Sequence, residues 1–129
     1  MIFIDCSIPR SIPDQLKRER GDVIWLGDRF PLETKDQVWL REAGRQGWMV
    51  ISHDKNIRHR PSEMRALRES GCGCFILAYR DNLSKDQIYE LIVSALDEML
   101  RRFDEEPQPF LYTVTKNLDF KEDVRNPPL

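Results

Sequence analysis

Four short apolar runs in this chain each end in an aspartate, namely Asp5, Asp28, Asp54 and Asp81. If these runs are parallel strands, their carboxyl ends share one edge of a sheet, the edge where open α/β folds place ligands. Carboxylates gathered there repel each other. A hard divalent cation such as Mg²⁺ or Mn²⁺ relieves that repulsion because it prefers oxygen ligands. A cation bound in this way can activate water and hold a phosphate group.

Aspartate is also a common turn residue after a strand, because its side chain hydrogen bonds to the local backbone. Asp28 fits this alternative best, since Gly-Asp-Arg-Phe-Pro is typical of a turn and Arg29 is a ready partner. Asp36 is a further candidate, because it lies in the first turn of a predicted helix. It either stabilises the positive end of the helix dipole or points back to the same sheet edge.

A basic run follows Asp54 and contains Lys55, Arg58, His59 and Arg60 within six residues. A phosphodiester substrate needs this combination, with a metal on the acids and its backbone phosphates on the basic side chains. The alternative is a solvated loop whose charges pair with acids of the next helix, Glu63 and Glu69.

The histidines, cysteines and tryptophans give weaker evidence for a functional site than the aspartates and the basic run. His53 and His59 are candidates for metal ligation or general-base work, but no third histidine or cysteine lies nearby, so solvent-facing or phosphate-contacting roles are favoured. Cys72 and Cys74 form a poor zinc signature and read as small residues at a strand start. The three tryptophans fall in or beside apolar patterns and are expected in the core: Trp25, Trp39 and Trp48.

The elements that must position these residues alternate along the chain. Apolar runs at residues 2–4, 23–26, 48–51 and 74–78 predict strands, and amphipathic patterns at 11–20, 34–45, 61–70 and 84–103 predict helices. Two helices begin with capping-box sequences, Thr34-x-x-Gln37 and Ser84-x-x-Gln87. Short strands that are apolar on both faces predict a three-layer α/β/α fold with a mostly parallel sheet of four to five strands.

The last quarter of the chain departs from this pattern. Residues 1–103 are expected to form one domain, and residues 104–129 a C-terminal extension. Within the extension, an acidic, proline-containing linker (DEEPQP) precedes residues 110–115, which are expected to add a strand at an edge of the sheet. The polar residues 117–129 are expected to be a mobile tail.

The amino-acid composition limits the classes of partner and the cellular location that can be expected for this protein. The 129 residues carry 20 lysines and arginines against 22 acids, a net charge of -2, so any nucleic-acid binding must depend on a local basic patch. Three cysteines argue against a disulfide framework and suit a reducing cytoplasm. The apolar runs are far shorter than a membrane span. We therefore expect a cytoplasmic protein with no membrane partner.

Several of these motifs resemble those of one family. Asp5-Cys6-Ser7 is similar to the D-x-[SN] opening of PIN-domain nucleases, and the order of elements over residues 1–103 resembles short PIN-like proteins, including VapC-type toxins. Such proteins commonly have an acid after strand one, an acid opening the helix after strand two, and a T-x-D-like segment after strand three. These match Asp5, Asp36 and Ser52-His53-Asp54, and the run DKNIRHRP resembles the basic segment of one PIN-like subgroup.

The resemblance implies metal-dependent cleavage of RNA by a toxin that a cognate antitoxin restrains. It implies that Asp5, Asp36 and Asp54 hold Mg²⁺ or Mn²⁺, with Asn56 and Ser7 in support. Asp81 is a further ligand by position alone. RNA would be held by basic side chains, namely Lys55, Arg58, His59 and Arg60. A homodimer is also expected, since PIN-type proteins often dimerise.

Two alternatives remain. Asn56 stands where related proteins often have a second aspartate, which favours a non-catalytic PIN-like binding protein with a vestigial site. A receiver-like signalling module also has βα repeats and strand-end acids. It requires adjacent acids after strand one and a lysine after strand five, whereas this chain has the lone Asp5 and no evident fifth β-α unit.

Overall fold

Strands and helices alternate through most of the chain. The computed structural model describes residues 1–124. The strands are β1 (Ile2–Ile4), β2 (Val23–Trp25), β3 (Met49–Ser52), β4 (Gly73–Ala78), β5 (Phe110–Thr115) and β6 (Phe120–Val124). The helices are α1 (Ser11–Glu19), α2 (Leu26–Arg29), α3 (Asp36–Gln46), α4 (Pro61–Ser70) and α5 (Lys85–Glu105), with a 3-10 turn at Lys55–His59.

The strands form one sheet in the order β2-β1-β3-β4-β5-β6. The first five run parallel, and β6 returns antiparallel to β5. The chain goes from β1 to β2 on one side and then to β3 on the other, so the strand order reverses beside β1. The carboxyl ends of β1 and β3, with Ile4 opposite Ile51 in register, therefore flank the crevice where α/β folds place ligands.

Successive residues of β1 point to opposite faces of the sheet and enter two separate apolar cores. Ile4 packs in a cluster with Leu16 of α1 and Ile92 of α5. Phe3 packs in the other cluster with α3 and α4, which contribute residues such as Trp39. The predicted three-layer α/β/α arrangement with a mostly parallel sheet is confirmed, and the tryptophans are buried as expected.

The C-terminal segment differs from its prediction. The sheet has six strands rather than four to five, because residues Phe120–Val124, expected within a mobile tail, form β6. As a consequence β5 is not an edge strand. Its Phe110, Leu111 and Val114 are buried, and β6 covers its outer side. The rest of the expected tail, residues 125–129, lies outside the described residues.

The helix ends test the predicted caps. Ser84 and Gln87 form the expected capping box of α5, with Gln87 N donating to Ser84 Oγ at 3.1 Å and Ser84 N donating to Gln87 Oε1 at 2.9 Å. The box predicted at Thr34 is wrong, because α3 begins at Asp36 with Lys35 as its N-cap and has no side-chain cap. Within residues 1–124, no helix has the length and apolarity needed to cross a membrane.

Candidate active site

Asp5 follows β1 directly and is only 4% exposed. Its carboxylate accepts hydrogen bonds from Ser52 Oγ at 2.8 Å, Ser7 Oγ at 2.5 Å and the Ser7 backbone N–H at 3.2 Å. Burial raises the pKa of Asp5 to about 6, although these hydrogen bonds lower it, and the nearby charge of Asp36 adds to the rise. Asp5 is therefore a buried carboxylate held rigidly between the ends of β1 and β3.

Three other carboxylates converge at the same edge of the sheet. One oxygen each of Asp36, Asp54 and Glu63 lies within 4.8 Å of the other two. Asp36 is the first residue of α3, Asp54 precedes the 3-10 turn after β3, and Glu63 lies in the first turn of α4. We call these three residues the acidic triad. Two helices and a loop thus deliver it, because α3 and α4 begin near the carboxyl ends of the parallel strands.

Local hydrogen bonds orient two members of the triad. The indole Nε1 of Trp39 donates to Asp36 Oδ1 at 2.9 Å, one turn along the same helix. Asp54 Oδ1 accepts the backbone N–H of Asn56 at 3.0 Å, and the backbone N–H of Asp54 donates to Ser52 Oγ at 3.0 Å. Ser52 therefore contacts both Asp5 and Asp54, which couples the buried carboxylate to the triad.

Glu63 is the member of the triad for which the sequence predicts only an ion pair with the basic loop. It is 5% exposed, and burial raises its pKa, as does a hydrogen bond that it shares with Asp36, while Arg60 lowers it. The sequence feature that could have identified Glu63 as a site residue is its position. Like Asp36, it is an acid in the first turn of a helix that follows a strand.

Arg60 binds all three members of the triad through a single atom. Its Nη1 lies 3.0 Å from Asp54 Oδ2, 3.1 Å from Glu63 Oε1 and 3.4 Å from Asp36 Oδ2. The carboxylates raise the pKa of the guanidinium, chiefly through the hydrogen bond with Glu63. From the sequence, Arg60 is expected to contact RNA, whereas in the structure its guanidinium lies on the three acids.

The remaining strand-end aspartates lie elsewhere. Asp81 is fully exposed, with Oδ1 4.0 Å from His53 Nε2, and joins no group of three ligands within residues 1–124. Asp28 has the turn role that was expected, accepting the Trp25 backbone N–H at 2.9 Å. Its charged partner is Lys17 rather than the predicted Arg29, because α1 packs beside β2 and brings the lysine to it.

The basic run forms a groove beside the triad. Arg58, His59, Arg60 and Arg68 line a cavity of about 410 Å³ whose other wall includes Asp123 and Val124 of β6. A second cavity, of about 350 Å³, contains Asp36 and Glu63 and also touches Arg60. Lys55 and Asn56 are exposed at the start of the 3-10 turn. We call the first cavity the basic groove and the second the acidic groove.

The donor chemistry of the triad fits a hard divalent cation. Its three donors are carboxylate oxygens, the ligands that Mg²⁺ and Mn²⁺ prefer, and no histidine or cysteine of residues 1–124 joins them. The three contacts of Arg60 Nη1 show that the oxygens point to one position that favours positive charge. Asp36, Asp54 and Glu63 are therefore the residues that could hold the metal.

A mostly parallel sheet with carboxylates at its carboxyl edge and a basic groove beside them defines an α/β protein with an acidic site whose oxygen donors fit a hard cation. The chain belongs to the PIN-like domain family, whose model matches residues 1–79. This confirms the resemblance inferred from Asp5, Asp36 and Asp54, and it sets aside the receiver-like alternative. A relative from Mycobacterium tuberculosis (strain ATCC 25618 / H37Rv), named "Putative ribonuclease VapC45", is 28% identical over 120 residues, which cover 88% of this chain and 84% of that protein. No solved structure matches the chain significantly.

Proposed function

We propose that this protein is a metal-dependent endoribonuclease that hydrolyses RNA phosphodiesters, and that it is the toxin of a toxin–antitoxin pair. The observation that carries the proposal is the convergence of three carboxylates on one cationic nitrogen, beside the buried Asp5. Membership of the PIN-like family and the ribonuclease name of the relative support the same reaction class.

In this proposal Asp36, Asp54 and Glu63 hold Mg²⁺ or Mn²⁺, and Asp5 contributes a fourth carboxylate that Ser7 and Ser52 keep in place. When bound, the metal supplies an activated water and stabilises charge on the phosphate. Trp39 orients Asp36, and the Asn56 backbone orients Asp54, so that the ligands need little rearrangement. The side chain of Asn56 and the exposed Asp81 remain auxiliary ligand candidates from the sequence.

The basic groove is the proposed path for the RNA strand. Arg58 and Arg68 present cationic groups a short distance along the surface from the triad, and Arg58 Nε donates a hydrogen bond of 3.2 Å to His59 Nε2 in the same groove. Lys55 lies exposed on the same loop. Phosphate contacts of this kind position a strand without reading its sequence. An antitoxin partner, a cytoplasmic location and a homodimer belong to the same proposal.

The proposal is tested by incubating the purified protein with a mixed pool of structured and unstructured RNA. We expect cleavage with Mg²⁺ or Mn²⁺, none in EDTA, and a loss of at least about a hundredfold in Asp54→Asn. Asp97→Asn, which removes the same charge from the exposed face of α5, is the matched control and should cleave like the wild type. Cleavage that persists in EDTA or in Asp54→Asn would overturn the proposal.

The second candidate is a non-catalytic PIN-like binding protein. Asn56 favours it, because the amide adds no charge where relatives often have an acid. Titration with Mn²⁺ separates the two candidates, since a vestigial site should not bind the ion with useful affinity. A folded protein that is free of co-purified antitoxin, binds no Mn²⁺ and cleaves no RNA would favour this second function.

A further inference from the structure

The guanidinium of Arg60 occupies the position to which the triad carboxylates point. One nitrogen, Nη1, makes all three contacts, at 3.0, 3.1 and 3.4 Å. A bidentate arginine–carboxylate pair, by contrast, uses two nitrogens on one carboxylate. Arg60 therefore acts here as a point charge at the centre of three acids, which is the geometry of a counter-ion for the group.

Arg60 can leave the triad without a change in the backbone. Its side chain is 46% exposed, and the residue is the extended N-cap of α4, between the 3-10 turn and the helix. It lines both grooves, with the acids on one side and Arg58, His59 and Arg68 on the other. Because Arg60 already borders both grooves, rotation about its side-chain bonds is the route by which the guanidinium would pass from the acidic groove towards the basic groove.

We propose that Arg60 is a built-in competitor of the divalent metal, and that RNA binding releases it. The inference depends on the proposed function, because it assumes that the triad binds metal and that the basic groove binds RNA. Without RNA, the guanidinium neutralises the triad and weakens metal binding. A phosphate in the basic groove offers Arg60 a new partner, which arginine binds well. The triad then becomes free for the cation, so metal and RNA bind cooperatively, each strengthening the other by the same factor.

The first test measures Mn²⁺ affinity without RNA, using the electron paramagnetic resonance signal of the free ion. We expect Arg60→Gln to bind Mn²⁺ about tenfold more tightly than the wild type, a coupling of ordinary size. Arg65→Gln removes the same charge from an exposed position on α4 and should stay within about twofold of the wild type. Circular dichroism confirms that each variant is folded.

The second test adds a pool of short 2′-O-methyl phosphorothioate oligonucleotides, which resist cleavage, with a blank titration for the Mn²⁺ that they bind themselves. The oligonucleotides should tighten Mn²⁺ binding about tenfold in the wild type and by less than about twofold in Arg60→Gln. Equal tightening in both proteins would overturn the inference, because the coupling would not pass through Arg60.

A third measurement needs no substitution and serves if Arg60→Gln does not fold. In the wild type, the NMR resonance of the Arg60 Nη1–H group, whose nitrogen makes the three contacts with the triad, reports its pairing. Saturating Mg²⁺ should move it towards the values of exposed arginines such as Arg65, and an unchanged resonance would overturn the inference.

The failures of the two proposals differ. Suppose that the wild type binds Mn²⁺ and that Arg60→Gln binds it equally tightly or more weakly. This result would overturn the role of Arg60 and leave the nuclease proposal intact. No Mn²⁺ binding by any of the proteins, together with no RNA cleavage, would overturn both.

Discussion

The indole of Trp39 donates a hydrogen bond of 2.9 Å to Asp36, the acid that opens α3. Trp39 is fully buried and packs against Phe3 of β1, with ring centroids 5.3 Å apart. A residue of the hydrophobic core therefore forms a direct hydrogen bond with a candidate metal ligand. Because a buried indole has few alternative positions, it fixes the carboxylate as well as filling space.

Replacing Trp39 with phenylalanine tests this link. Trp39→Phe keeps an aromatic ring but loses the N–H, so we expect Mn²⁺ affinity to fall about tenfold, as is typical when a ligand loses its supporting hydrogen bond. Trp48→Phe is the control, because Trp48 stacks on Phe3 with centroids 5.5 Å apart and lies outside the triad. Both variants should lose stability in urea, but only the first should lose metal affinity. Equal Mn²⁺ affinity in Trp39→Phe and the wild type would contradict the prediction.

Glu63 should matter to the site as much as the acids recognised from sequence. We expect Glu63→Gln to weaken Mn²⁺ binding by at least about tenfold and to reduce RNA cleavage accordingly, because the triad loses one of three charged donors. Glu69→Gln is the matched control on the same helix, since Glu69 pairs with Arg41 at 2.9 Å on the surface. Isothermal calorimetry measures the affinities, and a Glu63→Gln protein that binds like Glu69→Gln would show that Glu63 is no ligand.

The pH dependence of folding should report the burial of Asp5. Burial raises its pKa from 3.8 to about 6, so the folded protein retains a proton that the unfolded chain has released. Below about pH 4, Asp5 is protonated in both states and does not lower the free energy of unfolding. Between about pH 4 and about pH 6 the free energy of unfolding falls, and above about pH 6 this loss is complete. The shift corresponds to a loss on the order of 3 kcal/mol.

Asp5→Asn cannot ionise and should escape this loss. Without metal, we expect it to be more stable than the wild type at about pH 8, by up to about 3 kcal/mol, and to differ little at about pH 4. Urea denaturation in EDTA measures both proteins. Subtracting the unfolding free energies of the two proteins removes the pH-dependent contributions of other groups. One such group is Glu98, whose pKa is lowered to about 2 by Arg101 and Arg102. Parallel pH profiles for the two proteins would show that Asp5 does not titrate in this way.

The last described strand should contribute to stability. Phe120 of β6 packs edge-on against Phe75 of β4 and Tyr112 of β5, with centroids 5.9 and 6.2 Å away. We expect Phe120→Ala to lower the free energy of unfolding by about 1–2 kcal/mol, less than for a fully buried phenylalanine because the side chain is only partly covered. Lys121→Ala, exposed on the same strand, should change it by less than about 0.5 kcal/mol. Urea denaturation compares the two, and equal effects would show that the Phe120 contact does not hold β6 in place.

Sequence patterns predicted the parallel part of the fold but not its last strand. The first five strands are largely continuous apolar runs, because both faces of the sheet are covered, and the four long helices have periodic apolar residues, because each buries one face. Phe120–Val124 has no such pattern, because the middle three residues of β6 are exposed and charged. Its position depends on the edge of β5 and on the aromatic side chains of β4 and β5, which are distant in sequence.

The sequence by itself determined the α/β class, the PIN-like resemblance, the placement of Asp5 and Asp54 after strand ends and that of Asp36 at the start of a helix, because these are local patterns. The tertiary structure decided which side chains meet. Glu63 and Arg60 joined the acids because α4 begins at the same sheet edge as α3, whereas Asp81 stayed exposed. Such distances depend on how separate elements pack, and no local pattern of residues specifies them.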